Sequence, residues 1–140
     1  MSKRFKWLPK RHYADLTVLS LRLFSGLFML THGIPKFERL IDGNLKFADP
    51  FGFGPELSLF FTVFAEVICA SFVALGFLTR AAVIPLITVM LVAVFFIHIH
   101  DPLAQKELGL FYLLMYLLIY FKGPGKFSVD YILFKKESSR

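Results

Sequence analysis

Apolar residues gather into four runs along the chain, at 16–34, 57–78, 81–99 and 108–121. A helix needs about 20 residues to cross the roughly 30 Å hydrocarbon core, and three of the runs reach that length. The first is punctuated at its end by Gly33 and Pro35, which predict a stop there. A polar and aromatic loop follows to Gly54, and Pro55 suits the first turn of the next helix, where its missing N–H is harmless. The second run closes at Gly76, and Thr79-Arg80 makes a very short connection to the third, which carries Pro85 near its start. The fourth run is short. Extending it back, with Asp101 as cap and Pro102 in the first position, completes a span that Gly123-Pro124-Gly125 ends. Ser128 is a candidate cap for a short surface segment beyond. The pattern predicts helices at about 16–34, 56–78, 81–99 and 102–121: an all-α membrane protein, a four-transmembrane-helix antiparallel bundle forming one domain over residues 1–140.

Composition agrees. A chain of 140 residues that is 56% hydrophobic, with mean hydropathy +0.64, eighteen Phe and 19% charged residues, falls in the membrane class. A net charge of +6 would suggest nucleic acid in a soluble chain, but the cations flank the spans. With four spans, both termini and the Thr79-Arg80 turn share a side that holds eleven Lys and Arg, against four opposite. The positive-inside rule then places both termini in the cytoplasm and makes lipid, not nucleic acid, the partner. Phe5, Trp7 and Tyr13 among the N-terminal cations have the composition of an interfacial anchor. The N-terminus imitates a signal peptide, but its apolar run is too long and Ile34-Pro35-Lys36 is no small-residue cleavage site, so the helix is read as retained. Cys69 is the one cysteine, which excludes an internal disulfide or a CxxC dithiol and leaves it a small packing residue.

The candidate chemistry lies in ionisable residues within the spans. Glu66 sits near the midpoint of the second run, and a charge at that depth costs at least about 2.5–3.5 kcal/mol unless it finds a partner or a wet cavity. If the first helix stops at Ile34, Arg22 lies about 18 Å and Glu66 about 13 Å from the same side. An Arg22–Glu66 pair across the first two helices is the expectation, either structural or holding a proton-handling carboxylate. His32, Lys36, His98, His100 and Asp101, with Glu56 and Glu107, would form a second layer at that end. His98 and His100 tempt a metal reading, but positions i and i+2 point about 200° apart on a helix. With Asp101 expected to cap, no metal site is assigned. Tyr112, Tyr116 and Tyr120 make a packing stripe, and Ala70 with Ala74 a small-xxx-small pair that permits close helix contact.

These residues, in their order, resemble the DoxX family: Arg22 in the first helix, His32-Gly33 with Lys36, Glu66, Leu75-Gly76 before Thr79-Arg80, and the closing Gly123-Pro124-Gly125 with Ser128 and Asp130. The resemblance covers roughly residues 19–131. It implies a small four-helix protein of the bacterial inner membrane, linked to membrane oxidoreductase assemblies by likeness to a subunit of thiosulfate:quinone oxidoreductase. Arg22, His32, Lys36 and Glu66 match the family's recurrent polar positions, while His98 and His100 are not assigned to its pattern.

The reading that results is a membrane subunit or anchor of a quinone-linked redox assembly. Glu66 and His32 are its candidate catalytic residues, and Arg22, Glu66, His32 and Lys36 its candidate cofactor contacts. A quinone is the cofactor this suggests, and redox proteins and further copies of the chain are the candidate partners. Whether the chain is itself an enzyme stays open. Two alternatives stand beside it: a small proton- or solute-transporting protein, and a non-catalytic scaffold.

Overall fold

The computed structural model describes residues 11–137, with side chains from Tyr13 to Phe134; the basic, aromatic stretch through Lys10 and the residues from Ser138 lie outside the described part. Among the described residues the protein is all helical. Four helices are long and apolar enough to cross a membrane. We label them α1 (Arg11–Ile41), α2 (Pro55–Leu75), α3 (Thr79–Ile97) and α4 (Leu103–Lys122), followed by the short α5 (Val129–Glu137). They alternate in direction, so the start of α1, the α2–α3 turn, the end of α4 and α5 share one end of the bundle, here called the terminal end. The 42–54 loop and the α3–α4 turn occupy the other, here called the loop end.

Central in the bundle is α2. Half of its most apolar stretch is buried, against 28% or less in each of the others, and α1, α3 and their flanks pack around it. The other helices turn large apolar residues outward, Phe24, Phe28, Phe95 and Leu114 among them, as a lipid-facing surface requires. The closeness of α1 and α2 is set by two glycines. A Cβ on Gly26 would lie 2.7 Å from the Ala70 carbonyl oxygen and 2.8 Å from the Ala74 Cβ. One on Gly33 would lie 2.7 Å from the Glu66 carbonyl oxygen. The small pair Ala70 and Ala74 therefore does permit close contact, and Gly26 is its counterpart.

The first helix departs from expectation. Pro35 lies inside α1, which continues another six residues to Ile41. Pro35 removes a single N–H donor, and membrane helices tolerate that loss when packing holds the helix on both sides. Pro55 does open α2, and Gly76 closes it in a left-handed conformation at φ 73°, with Phe77 N–H bonded back to Phe72 O. By contrast Asp101 does not cap α4, which starts at Leu103 behind Pro102 with no side-chain cap.

Two segments are wound as π-helix, Phe64–Cys69 in α2 and Ala93–Ile97 at the end of α3. Such turns occur mostly singly and frequently at functional sites. Residues of both line the cavities described below, and Glu66 is carried by the first.

Candidate functional site

Arg22 and Glu66 do not meet. Because α1 runs on past Pro35, the outer end of the helix lies about 10 Å further along than a stop at Ile34 implies, and Arg22 sits correspondingly deeper toward the chain termini. Its guanidinium is the largest fully buried side chain among the described residues. It donates to carbonyl oxygens only: Nε to Val73 at 3.2 Å, Nη2 to Ala74 at 3.4 Å and to Phe127 at 2.9 Å, and Nη1 to Pro124. Val73 and Ala74 are in the last turn of α2, where outward-pointing carbonyls and the negative end of the helix dipole favour a cation. Pro124 and Phe127 belong to the link between α4 and α5, so one side chain fastens three elements.

Asp130 completes that end. Its carboxylate accepts from Leu78 N–H at 2.7 Å, Thr79 N–H at 2.9 Å and the Thr79 hydroxyl at 2.8 Å. Leu78 is held at φ 44°, a left-handed conformation costly for a branched residue, and this bond helps to fix it. Ser128 caps α5 through Tyr131 N–H, as its position suggested, and its hydroxyl donates to Gly125 O at 2.6 Å. A Cβ on Gly76 would come within 2.7 Å of Arg22, so only glycine fits there.

The partner of Glu66 is Lys36. Its ammonium lies 2.7 Å from Oε1 and 2.5 Å from Oε2 of the carboxylate. Lys36 comes from the extra turn of α1 beyond Pro35, on the same face as Met29 and Gly33, and Gly33 brings the two backbones together. The pair is asymmetric: the Glu66 side chain is 3% exposed and that of Lys36 27%.

Two cavities meet at this pair. The larger, about 460 Å³, lies between α2, α3 and the 42–54 loop, and its walls are nearly all apolar, with Phe47, Phe51, Phe53 and Phe61 among them. The loop residue Phe51 rests on Phe96 of α3 with ring centroids 5.1 Å apart. The smaller, about 180 Å³, lies between α1, α3 and α4 and is lined by His32, His98, Gln105, Lys106 and Tyr112 as well as apolar groups. Lys36, Glu66, Ala93 and His98 line both and form the common wall. The loop is tied down by Asp49, which accepts from Phe53 N–H, Gly54 N–H and the Ser58 hydroxyl. The Gly54 bond first, then the Ser58 bond, hold its carboxyl below the usual carboxylate range.

A family model for DoxX matches residues 17–99, more than half of the chain. The chain belongs to the DoxX family. It is also similar to an uncharacterized membrane protein, Rv3486, of Mycobacterium tuberculosis, at 28% identity over 145 residues, covering 88% of this chain and 85% of the relative. No solved structure matches it.

Within this DoxX bundle the anticipated site residues divide. His32, Lys36 and Glu66 come together at the smaller cavity, with the His32 ring edge-on to Tyr112 at 5.9 Å. Arg22 lines neither cavity and belongs to the opposite end, with Gly76, Thr79, Ser128 and Asp130. His98 joins the wall of both cavities, and its Nδ1 lies 2.6 Å from Asp101 Oδ2, the contact that draws Asp101 away from capping. His100 is exposed in the turn, and among the described residues no three His, Cys, Asp or Glu side chains gather where they could hold a metal. Tyr112 and Tyr116 pack inward, and Tyr116 donates to Ser25 O at 3.2 Å, while Tyr120 is more exposed.

The pairing of Lys36 was missed by sequence reasoning. A signal for it existed: Arg22, Ser25, Met29 and Lys36 recur at helical spacing on one face. Reading that stripe through Pro35 would have delivered Lys36 to Glu66.

Proposed function

We propose that this DoxX protein is a membrane subunit that takes a quinone-type amphipathic ligand into the larger cavity, as part of a redox assembly. The observation that carries the reading is an aromatic-walled cavity of about 460 Å³, bounded by lipid-facing helices, that ends on one buried ion pair. Ligand pockets typically measure about 300–1,000 Å³, mostly apolar with few polar groups, and this cavity has that character. Phe47, Phe51 and Phe61 supply flat apolar walls for a ring, and Thr62 and Ser58 lie on the α2 side. A quinone, when bound, supplies an acceptor of electrons and protons. Lys36 has a third N–H to give to a carbonyl oxygen, since Glu66 takes only part of its donor capacity. Glu66 accepts or returns a proton next to it, and the dry walls strengthen both interactions. In this reading Arg22 has no contact with the ligand.

The excess of cations beside the termini supports a cytoplasmic position for them in a bacterial inner membrane, which turns the loop end outward. Electron-transfer partners or further copies of the chain then dock from outside the bundle.

Gentle detergent extraction followed by mass spectrometry of the lipid extract tests the reading. It should recover a quinone with the wild-type protein and none with Lys36→Met. Added menadione should bind the wild type and bind Lys36→Met at least about tenfold more weakly, the loss of one charge-assisted hydrogen bond. Purified protein that binds no quinone, or a Glu66→Gln protein that retains full activity in its native complex, would overturn it. A second reading, a proton or solute pathway, is favoured by the two cavities meeting at a single ion pair; flux in reconstituted vesicles that depends on Glu66, without quinone binding, would select it.

A further inference from the structure

The two cavities differ in what they can hold. The larger is bordered by Phe61 and Thr88, both exposed on the outer faces of α2 and α3, and nothing charged lines it except the residues of the common wall. The smaller carries His32, Gln105, Lys106 and Tyr112 and reaches the first turn of α4, where Gln105 is exposed and Lys106 donates to Ile99 O at 3.2 Å. An apolar void stays dry, whereas a space with several polar partners retains water. At about 180 Å³ the smaller cavity is ample for a short chain of water molecules.

We infer that the ion pair has two separate entrances: the apolar cavity between α2 and α3 admits ligand from the lipid, and the polar cavity between α1 and α4 is a water-filled vestibule that brings protons to Glu66. Lys36, partly exposed, and the more deeply buried Glu66 both line the vestibule as well as the ligand cavity. His98 stands where the two spaces meet. Asp101 engages its Nδ1, so its other nitrogen is the one left for water or ligand. His32 guards the same vestibule from α1, one helical turn before Lys36. The arrangement solves a physical difficulty: a buried carboxylate in an apolar cavity has no route for protons through that cavity, and the vestibule supplies one without flooding the ligand side. The inference builds on the ion pair as the reactive end of the site, but its test uses no ligand.

Single cysteines report water directly, because a charged thiol reagent attacks only a hydrated thiolate. Buried Cys69 is first replaced in a Cys69→Ala background. His32→Cys at the vestibule mouth, Met29→Cys one turn deeper, and Thr62→Cys in the apolar cavity are then reconstituted in phosphatidylethanolamine–phosphatidylglycerol vesicles opened to reagent on both sides. A trimethylammonium methanethiosulfonate should modify His32→Cys, and Met29→Cys more slowly, both at least about tenfold faster than Thr62→Cys. N-ethylmaleimide, uncharged, should modify Thr62→Cys as well. If Met29→Cys does not fold, the His32→Cys and Thr62→Cys pair decides. No modification of His32→Cys by the charged reagent, or equal rates at His32→Cys and Thr62→Cys, would overturn the two-entrance arrangement. Quinone binding, measured separately, would be untouched by either result.

Discussion

The two ends of this bundle each hold one cation from α1, fully buried Arg22 and partly exposed Lys36, and they use it in opposite ways. At the terminal end Arg22 spends its donors on carbonyl oxygens of α2 and the α4–α5 link, with Asp130 close by fastening the start of α3. Among the described residues no buried side-chain nitrogen or oxygen lacks a partner. At the loop end Lys36 meets a carboxylate rather than backbone, and the pair is bordered by cavities on both sides. A guanidinium's rigid fork suits several fixed carbonyls, while an ammonium is a compact charge that can share its donors with a visiting group. The residues that carry the family resemblance are thus of two kinds. Arg22, Gly76, Thr79, Ser128 and Asp130 lock the chain together, and Lys36 and Glu66 pair with each other on the wall shared by two cavities.

The comparison breaks most sharply at Arg22. Arg22→Met would take a donor from the Val73, Ala74, Pro124 and Phe127 carbonyls at once, and with charge-assisted bonds worth roughly 1.5–3 kcal/mol each a loss of about 3 kcal/mol or more is expected. Thermal unfolding in detergent should show it as a large fall in Tm, or as failure to accumulate. Arg22→Met that keeps wild-type stability would refute the locking role. Next comes the ion pair. Glu66→Gln or Lys36→Met alone strands one partner and should cost about 1–3 kcal/mol, less than for a fully buried pair because Lys36 is partly exposed. Lys36→Met combined with Glu66→Leu should recover most of that stability while abolishing ligand binding. A double variant no more stable than the singles would show that the pair is structural, like the other end.

Much of the fold was legible because hydrophobic runs, Pro55, Gly76 and the closing glycines are local signals with local consequences. The terminal lock was visible as motif residues in order, though not as a cluster, because Arg22 reaches carbonyls, which every residue has and no sequence marks. The loop end failed for one reason. Pro35 is a strong stop in water, but in a lipid-facing membrane helix with Gly33 pressed against α2 a break would leave backbone groups unsatisfied, so α1 continues. That single extension moved the partner of Glu66 from Arg22 to Lys36. The π-turns at Phe64–Cys69 and Ala93–Ile97 were illegible, since π winding depends on how neighbouring helices press on the backbone rather than on residue type.

Smaller effects sharpen the same contrast. Asp130→Asn removes a charged acceptor from the α3 start and should cost about 0.5–2 kcal/mol, seen as a modest Tm decrease with ligand binding intact.

Asp49 gives the smallest effect and the one that depends on pH. Its carboxyl titrates below the usual carboxylate range because Gly54 N–H, and after it the Ser58 hydroxyl, bond to the charged form. A folded-state value lowered in this way stabilises the loop above the ordinary carboxylate range. That contribution is lost as pH falls through the folded value, when the protonated group stops accepting both N–H bonds. Acidification should therefore lower the protection of Phe53 and Gly54 amides, measured as exchange relative to the intrinsic rate at each pH, before it affects the amides near Arg22, and Asp49→Ala should show the low protection already at neutral pH. Since Phe47, Phe51 and Phe53 wall the larger cavity from this loop, the same acid step should weaken ligand binding. The terminal end, held by carbonyls that do not titrate, should stay as it was.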